Sequence, residues 1–291
     1  MAGVAQYSGT NSHSKQSAGR GSSADRELWL MLAFTRRLPR VRGAVRLALA
    51  VRRTYLRKPR QSVIAEVLGF RMRLDPTDWV EVGLLFYPQL WDHTEISFLT
   101  RNLFPGEVFL DIGSHAGFNA LVASRAVGPQ GMVVAVEADP DIYSSLCHNL
   151  ALNQTHNVRT FNLGISDADG LLRLGAATEG NLATRSFLSH LEPAADIECI
   201  TLSELVRRNA IRQIKGAWLD ICGLEFRVLA QYFSNYSRNL YPDFVILEDN
   251  PGWRQKAGGD AVRLLEKAGY KPYCRNRRDS NIIRNCIMVL T

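Results

Sequence analysis

The sequence predicts an α/β fold with a Rossmann-like, doubly wound and mostly parallel sheet, and three observations predict it. Apolar runs of strand length alternate with helical periods from about Val63 to Leu290, the pattern of a parallel sheet covered on both faces by helices. The run Val108–Ile112 opens into a turn holding Gly113 and Gly117, followed by a helical stretch. A second run, Met132–Val136, ends on the acid Glu137. Strand, glycine turn, helix, strand and acid in that order make a nucleoside-binding βαβ unit. A ligand approaches the turn closely, and the acid reaches a ribose diol.

Along the chain, residues 1–27 are rich in Ser, Gly, Ala and Asn without an apolar period and read as a disordered tail. Residues 28–60 form a basic amphipathic segment in which Leu28, Trp29, Leu32, Phe34 and Val41 interleave with arginines. Its longest uncharged run, Leu28–Thr35, is far short of the ~20 residues that span a bilayer. The catalytic domain is expected over residues 61–291, with a strand at Arg71–Leu74 and a helix at Glu95–Leu103 ahead of the Val108 strand. Helix Phe118–Val127, strand Met132–Glu137, helix Pro140–Asn153 and strand Val158–Leu163 continue the alternation. Then come a helix Leu202–Asn209 behind a Thr201-x-x-Glu204 capping box, strand Ala217–Ile221 and helix Glu225–Phe233. Strand Phe244–Leu247, helix Ala261–Ala268 and strand Cys286–Leu290 close the series, and the aperiodic stretch Ala176–Pro193 reads as a substrate-side loop.

Charge and cysteine usage narrow the function. The net charge of +7 is local: residues 36–60 hold ten basic side chains and no acid, which leaves the rest of the chain at −3. A nucleic-acid-binding catalytic domain is therefore not expected. The basic segment suits an anionic membrane surface, a solvated face over the core or, third, an RNA-binding arm. Five cysteines without C-x-x-C spacing, and histidines without an H-x-x-x-H pair, predict neither a disulfide framework nor a metal site. A cytoplasmic protein, peripheral at the membrane if the segment binds lipid, is the expectation.

The turn also narrows the cofactor. It reads D-x-G-x-x-x-G from Asp111 rather than G-x-G-x-x-G. A carboxylate beside the turn repels a pyrophosphate and suits a ligand with ammonium and sulfonium charges, S-adenosylmethionine. Asp111, Gly113, Ser114, His115 and Gly117 are the expected turn contacts, with Glu137 on the ribose. Asp167 in S-D-A-D-G is a candidate for the adenine amino group, against a plain turn role.

Several stretches together resemble the FkbM family of S-adenosylmethionine-dependent methyltransferases, whose members carry D-x-G-A-N-x-G, an E-P or E-A step, N-L-x-x-N and a late D-x-E-G-x-E. This chain shows D-I-G-S-H-A-G from Asp111, V-E-A-D-P around Glu137, H-N-L-A-L-N from His148 and L-D-I-C-G-L-E from Leu219. The likeness runs over roughly residues 70–290. Ser114 and His115 stand where Ala-Asn is usual, and Cys222 replaces the first late Glu. The resemblance implies a class I methyltransferase that methylates a hydroxyl of a sugar, lipid or secondary metabolite. A non-catalytic relative with a degenerate site is the alternative, and a nicotinamide oxidoreductase is disfavoured by the missing G-x-G-x-x-G.

An alcohol acceptor must lose a proton, so a base within hydrogen-bond reach is required. Asp220 and Glu248 at strand ends and His93 ahead of the Glu95 helix are the catalytic candidates, with His115 a further base.

Overall fold

A computed structural model of the chain describes residues 23–39, 47, 50, 62–175, 193–248, 258–275 and 285–291. Helix α1 (Ser23–Thr35) leads to a hairpin of β1 (Val63–Val67) and β2 (Phe70–Leu74), then helices α2 (Trp79–Phe86) and α3 (His93–Asn102). The Rossmann-like half follows as β3 (Val108–Ile112), α4 (Phe118–Val127), β4 (Met132–Glu137), α5 (Pro140–Leu152) and β5 (Val158–Asn162). Next come the short strands β6 (Gly164–Ser166), β7 (Gly170–Gly175) and β8 (Pro193–Thr201), which form a small sheet in the order β6-β8-β7. Helix α6 (Leu202–Arg208), β9 (Gly216–Leu219), α7 (Glu225–Asn235), β10 (Phe244–Glu248), α8 (Ala261–Lys267), β11 (Tyr270–Arg275) and β12 (Asn285–Leu290) complete the chain.

The central sheet runs β11-β12-β10-β9-β3-β4-β5, parallel from β10 to β5, with β12 antiparallel between β10 and β11. This is the doubly wound class I arrangement. The chain leaves β3 in one direction through β4 and β5, then returns to β9 on its other side. The crevice at the carboxyl ends of β3 and β9 is the topological switch point where such sheets bind ligands.

Strand residues alternate between two cores because successive side chains point to opposite faces. Phe109, Val133, Ala135, Trp218, Phe244 and Ile246 pack with α1 to α5 and the hairpin. Leu110, Ile112, Val134, Val136, Ala217, Leu219 and Val245 pack with α6, α7 and α8. Burial on both faces is why these strands read as unbroken apolar runs rather than alternating ones.

The hairpin is held to α5 by a helix imitating a strand. Asn153 Oδ1 accepts from Arg71 N at 2.9 Å and its Nδ2 donates to Arg71 O at 2.7 Å. Asn149 Oδ1 accepts from Arg73 N at 2.7 Å, and its Nδ2 donates to Arg73 O at 3.3 Å and Ala116 O at 2.9 Å. The geometry works because four residues along a helix advance about 6 Å, close to the ~6.7 Å that two residues advance along a strand. The N-L-x-x-N motif is thus a lock between helix, hairpin and glycine turn.

Several expectations shift. Helix α1 begins at Ser23, inside the stretch read as a tail, and its Leu28, Leu32 and Thr35 are buried in the core rather than forming a detached segment. The inward residues recur at i, i+4 and i+7. Arg36 adds a tie, donating to Leu85 O at 2.9 Å and Glu66 O at 2.7 Å. The strand expected over Ala217–Ile221 ends at Leu219, where its ladder with β3 stops opposite Ile112. The Thr201 capping box is half formed. Its hydroxyl accepts from Glu204 N at 3.1 Å, but Thr201 N donates to Asp169, and the Glu204 carboxylate is taken by Arg207 and Arg208. The expected loop at Ala176–Pro193 lies outside the described residues except Pro193, which opens β8.

Candidate active site

A cleft of about 1090 Å³, its open mouth included, sits at the switch point. Ile112 to Ala116 after β3, Glu137 to Asp139 after β4, Leu163 to Ile165 after β5 and Asp220 to Cys222 after β9 line it, with Val80, Leu84, Trp91 and Asp92 as the outer wall.

The glycines permit close approach. Gly113 has φ +86°, and a Cβ there would lie 2.0 Å from the Asp220 carbonyl oxygen. Only glycine lets the ends of β3 and β9 meet so tightly. Gly113 N and Ser114 N both donate to Val136 O at 2.9 Å, and Asp220 N donates to Ile112 O at 2.9 Å, so three strand ends are stitched together under the cleft. Gly117, with φ +89°, serves packing instead, since a Cβ there would meet Leu146 of α5 at 2.6 Å. It does not line the cleft.

Glu137 lines the cleft and is rigidly held. Its Oε2 accepts from His115 N and its Oε1 from Asp139 N, each at 2.9 Å. Each oxygen keeps a lone pair for a further donor. Burial raises the Glu137 pKa, and the His115 charge works against that rise. Asp139 is not free for a ligand hydroxyl in the same way, because it caps α5 by accepting from Asp141 N and Ile142 N.

Asp111 does not reach the cleft surface. It is fully buried, both carboxylate oxygens lack a hydrogen-bond partner, and it lies beneath the turn. Burial pushes its pKa up to about 7, and the nearby Asp220 and Glu137 charges add to the rise. Its contribution to a cationic ligand is through the field, not by contact.

Asp220 opens into the cleft, but the walls around it still exclude enough water to raise its pKa, against the opposing pull of His115. Cys222 also lines the cleft with φ +50°, and burial followed by the Asp220 charge pushes its thiol well above the ordinary value. The loop carrying it is pinned by Glu225, whose Oε1 accepts from Ile221 N at 3.0 Å and Gly223 N at 3.3 Å. Buried in this role, Glu225 has its pKa raised to about 7.

Besides Asp111 and Gly117, three more of the sequence candidates stand outside the cleft lining. Asp167 is paired with Arg227, whose Nε and Nη2 donate to Oδ2 at 3.0 and 2.8 Å, and it does not line the cleft. Partial burial raises its pKa, but Arg227 prevails and holds the carboxyl below its usual range. His93 lines a separate small pocket with Leu68, Pro88 and Ile96. Trp91 and Asp92, two residues earlier, take the cleft position instead. Glu248, the last residue of β10, is half buried opposite Asn285 of β12, away from the cleft lining.

One cluster passed unnoticed in the sequence. Asp78 caps α2, its Oδ1 accepting from Val80 N and Glu81 N at 2.9 Å each, and its Oδ1 is 3.5 Å from His115 Nε2. Glu81 follows one turn on, its Oε2 accepting from Asp75 N at 2.6 Å. Burial alone would depress the His115 pKa, but Asp78 and Glu81 override it and raise it to about 9. Burial raises Glu81 to about 7 despite His115. The D-x-x-E spacing at a helix start was a visible signal; its meeting with His115, more than thirty positions on, was not.

Residues 111–272 match the family model described as the methyltransferase FkbM domain, more than half of the chain. The chain belongs to the FkbM methyltransferase family. Among curated proteins, this FkbM methyltransferase is similar to an arsenite methyltransferase of Halobacterium salinarum, 45% identical over 60 residues, which is 21% of this chain and 15% of that protein. The chain thus spans only that 15% of the relative's length. Among solved structures, TYW2 from M. jannaschii in complex with AdoMet aligns with TM-score 0.43 and 14% identity, covering 80% of this chain and 86% of that one. Fibrillarin from Aeropyrum pernix with bound S-adenosyl-L-methionine aligns with TM-score 0.42 and 13% identity, covering 68% and 74%.

The methyl donor expected from the sequence is S-adenosylmethionine. The residues present fit it: Glu137 offers two oxygens with spare lone pairs, unpartnered Asp111 and open Asp220 supply negative charge for a sulfonium, and Ile142, Leu163 and Ile165 give an apolar wall.

Proposed function

We propose that this methyltransferase acts on a hydroxyl oxygen of a small acceptor, a sugar, lipid or secondary metabolite. The observation that carries the reading is Asp220, a carboxylate open to the cleft whose pKa is raised toward the working range of a base. Bound in the cleft, the sulfonium cofactor supplies an electrophilic methyl group. Glu137 would hold its ribose hydroxyls, and the Asp111 and Asp220 charges would favour its cationic end. Trp91, Leu84 and Trp218 wall the acceptor side and keep water from the reacting centre. Asp220 accepts the proton that the attacking hydroxyl loses, and positioning of the oxygen in line supplies much of the acceleration, ~7–11 kcal/mol in favourable cases.

The archaeal relative is named for arsenite, a soft acceptor that thiolates hold. Among the described residues Cys222 is the one cysteine lining this cleft, and its thiol is pushed toward the protonated form. That favours an oxygen acceptor. Incubating the protein with methyl-labelled cofactor and fractionated cell extract, followed by mass spectrometry, should give a product labelled on an ether oxygen. Label on nitrogen, sulfur or arsenic overturns the reading, and cofactor binding without any labelled product favours a non-catalytic role.

We also propose a peripheral contact with anionic membranes through the outward face of α1. Trp29, Leu30 and Phe34 are 52%, 72% and 50% exposed there, just ahead of the ten basic residues of 36–60. Interfacial aromatics beside arginine are the composition of such contacts. The protein should sediment with anionic but not neutral vesicles, and less so at high salt; sedimentation with neither overturns it.

A further inference from the structure

The side chains of Asp78 and Glu81 meet that of His115 just behind the part of the cleft wall that His115 lines. We propose that these three residues bind one divalent cation of the kind that imidazole and carboxylate ligands share, with Zn²⁺ held more tightly than Mn²⁺.

Geometry supports this first. One ligand atom from each residue lies within 4.8 Å of the other two. A cation bound at ~2.0–2.2 Å sets its ligands about 3–4 Å apart, so closure draws the ligand atoms together by up to roughly 1–2 Å through side-chain rotation. The second support is unspent bonding capacity. Asp78 is 1% exposed in its side chain, its Oδ1 is used as a helix cap, and its Oδ2 has no hydrogen-bond partner. Neither ring nitrogen of His115 has one either. Buried polar atoms normally find a partner, and a cation between the two side chains provides it.

The framework is also fixed in advance. Asp78 and Glu81 sit on the first turn of α2, Glu81 is steadied by the Asp75 N–H, and His115 is steadied through its own N–H bound to Glu137. One imidazole and two carboxylates suit first-row divalent ions, with Zn²⁺ above Mn²⁺ in affinity. Three protein ligands leave a position open. Because His115 and the Val80 and Leu84 side of α2 line the cleft, that position would suit an acceptor oxygen, a use that rests on the hydroxyl reading above.

The test reads binding without turnover, so it stands or falls apart from that reading. Full-length protein stripped with chelator is titrated with Zn²⁺ by calorimetry and with Mn²⁺ by electron paramagnetic resonance. One saturable site per chain is expected, Zn²⁺ tighter. Asp78→Asn keeps a side-chain oxygen for the helix cap, and Glu81→Gln and His115→Asn preserve shape. Each should weaken binding about tenfold or more, with folding checked by thermal melting, while His156→Asn on the surface should leave it unchanged. If one variant does not fold, the other two decide. No saturable site in the wild type, or equal affinity in the folded variants, overturns the proposal.

Discussion

The carboxylates at the ends of β4 and β9 are held in opposite ways. Glu137 is buried, clamped by two backbone N–H groups and carried on a strand whose neighbours on both sides are parallel. Asp220 stands open in the cleft, its backbone N–H bound to the Ile112 carbonyl and the loop after it pinned by Glu225, while its carboxylate faces the open space. On the function proposed above, the difference separates two tasks. A common cofactor rewards a preorganised acid that costs nothing to arrange at binding. A proton acceptor must remain reachable by whichever hydroxyl arrives.

Four measurements would break or sharpen that contrast. The largest effect belongs to Asp220→Asn, which should lower turnover by ~10²–10⁴-fold, far more than the loss of cofactor affinity from removing one charge near the sulfonium, because a base is used only as the acceptor reacts. Equal losses in rate and affinity would place Asp220 with Glu137 as a cofactor ligand. Next is Asp111, buried between the two. Its folded pKa of about 7 lies above the ~3.9 of an unfolded Asp, so its contribution to stability is full below about pH 4 and is lost as pH rises through 7. Glu81 and Glu225 are raised to a similar value and act in the same window, so the quantity to read is the difference between wild type and Asp111→Asn. Denaturant unfolding should show the variant gaining on the wild type between pH 4 and 8 by up to roughly 4 kcal/mol. A flat difference would mean that Asp111 finds a partner when charged.

Glu137→Ala should weaken cofactor binding by ~1.5–3 kcal/mol in calorimetry, the range for hydrogen bonds to a charged group. Unchanged affinity in a folded variant would remove the ribose assignment. The smallest effect is expected from Asp167→Asn. It breaks a partly exposed pair with Arg227, costing no more than about 1 kcal/mol in thermal unfolding, and leaves cofactor affinity alone. A large loss of affinity would bring back the adenine role that the geometry argues against.

The cofactor half was legible because its signals are local. Val108–Ile112, Phe118–Val127 and Met132–Glu137 appear with the boundaries the sequence predicts, since strand, turn and helix there follow one another within thirty residues. Where the chain is shaped by distant partners, reading fails. Helix α2 was missed because six of its eight residues are buried, leaving no polar face to mark a period. The hairpin strand β1 and the edge strand β11 alternate too briefly to stand out, and β11 carries a proline. His93 was chosen for its neighbours in sequence, but a helix start turns it away while Trp91 and Asp92 turn in. The acceptor wall is assembled from residues more than a hundred positions apart, such as Leu84 and Ile221, and no spacing rule joins them.

The asparagine lock on β2 bears on how this protein stays soluble while it folds. A two-stranded ribbon offers a row of free backbone donors and acceptors that another chain can extend into an aggregate. Asn149 and Asn153 occupy the outward N–H and C=O groups of both Arg71 and Arg73, so the ribbon's flank is closed from within the same molecule. The guard comes from a helix nearly eighty residues downstream, and until α5 docks the flank is open. Any state of the chain in which α5 is undocked leaves that flank open to pairing with another chain.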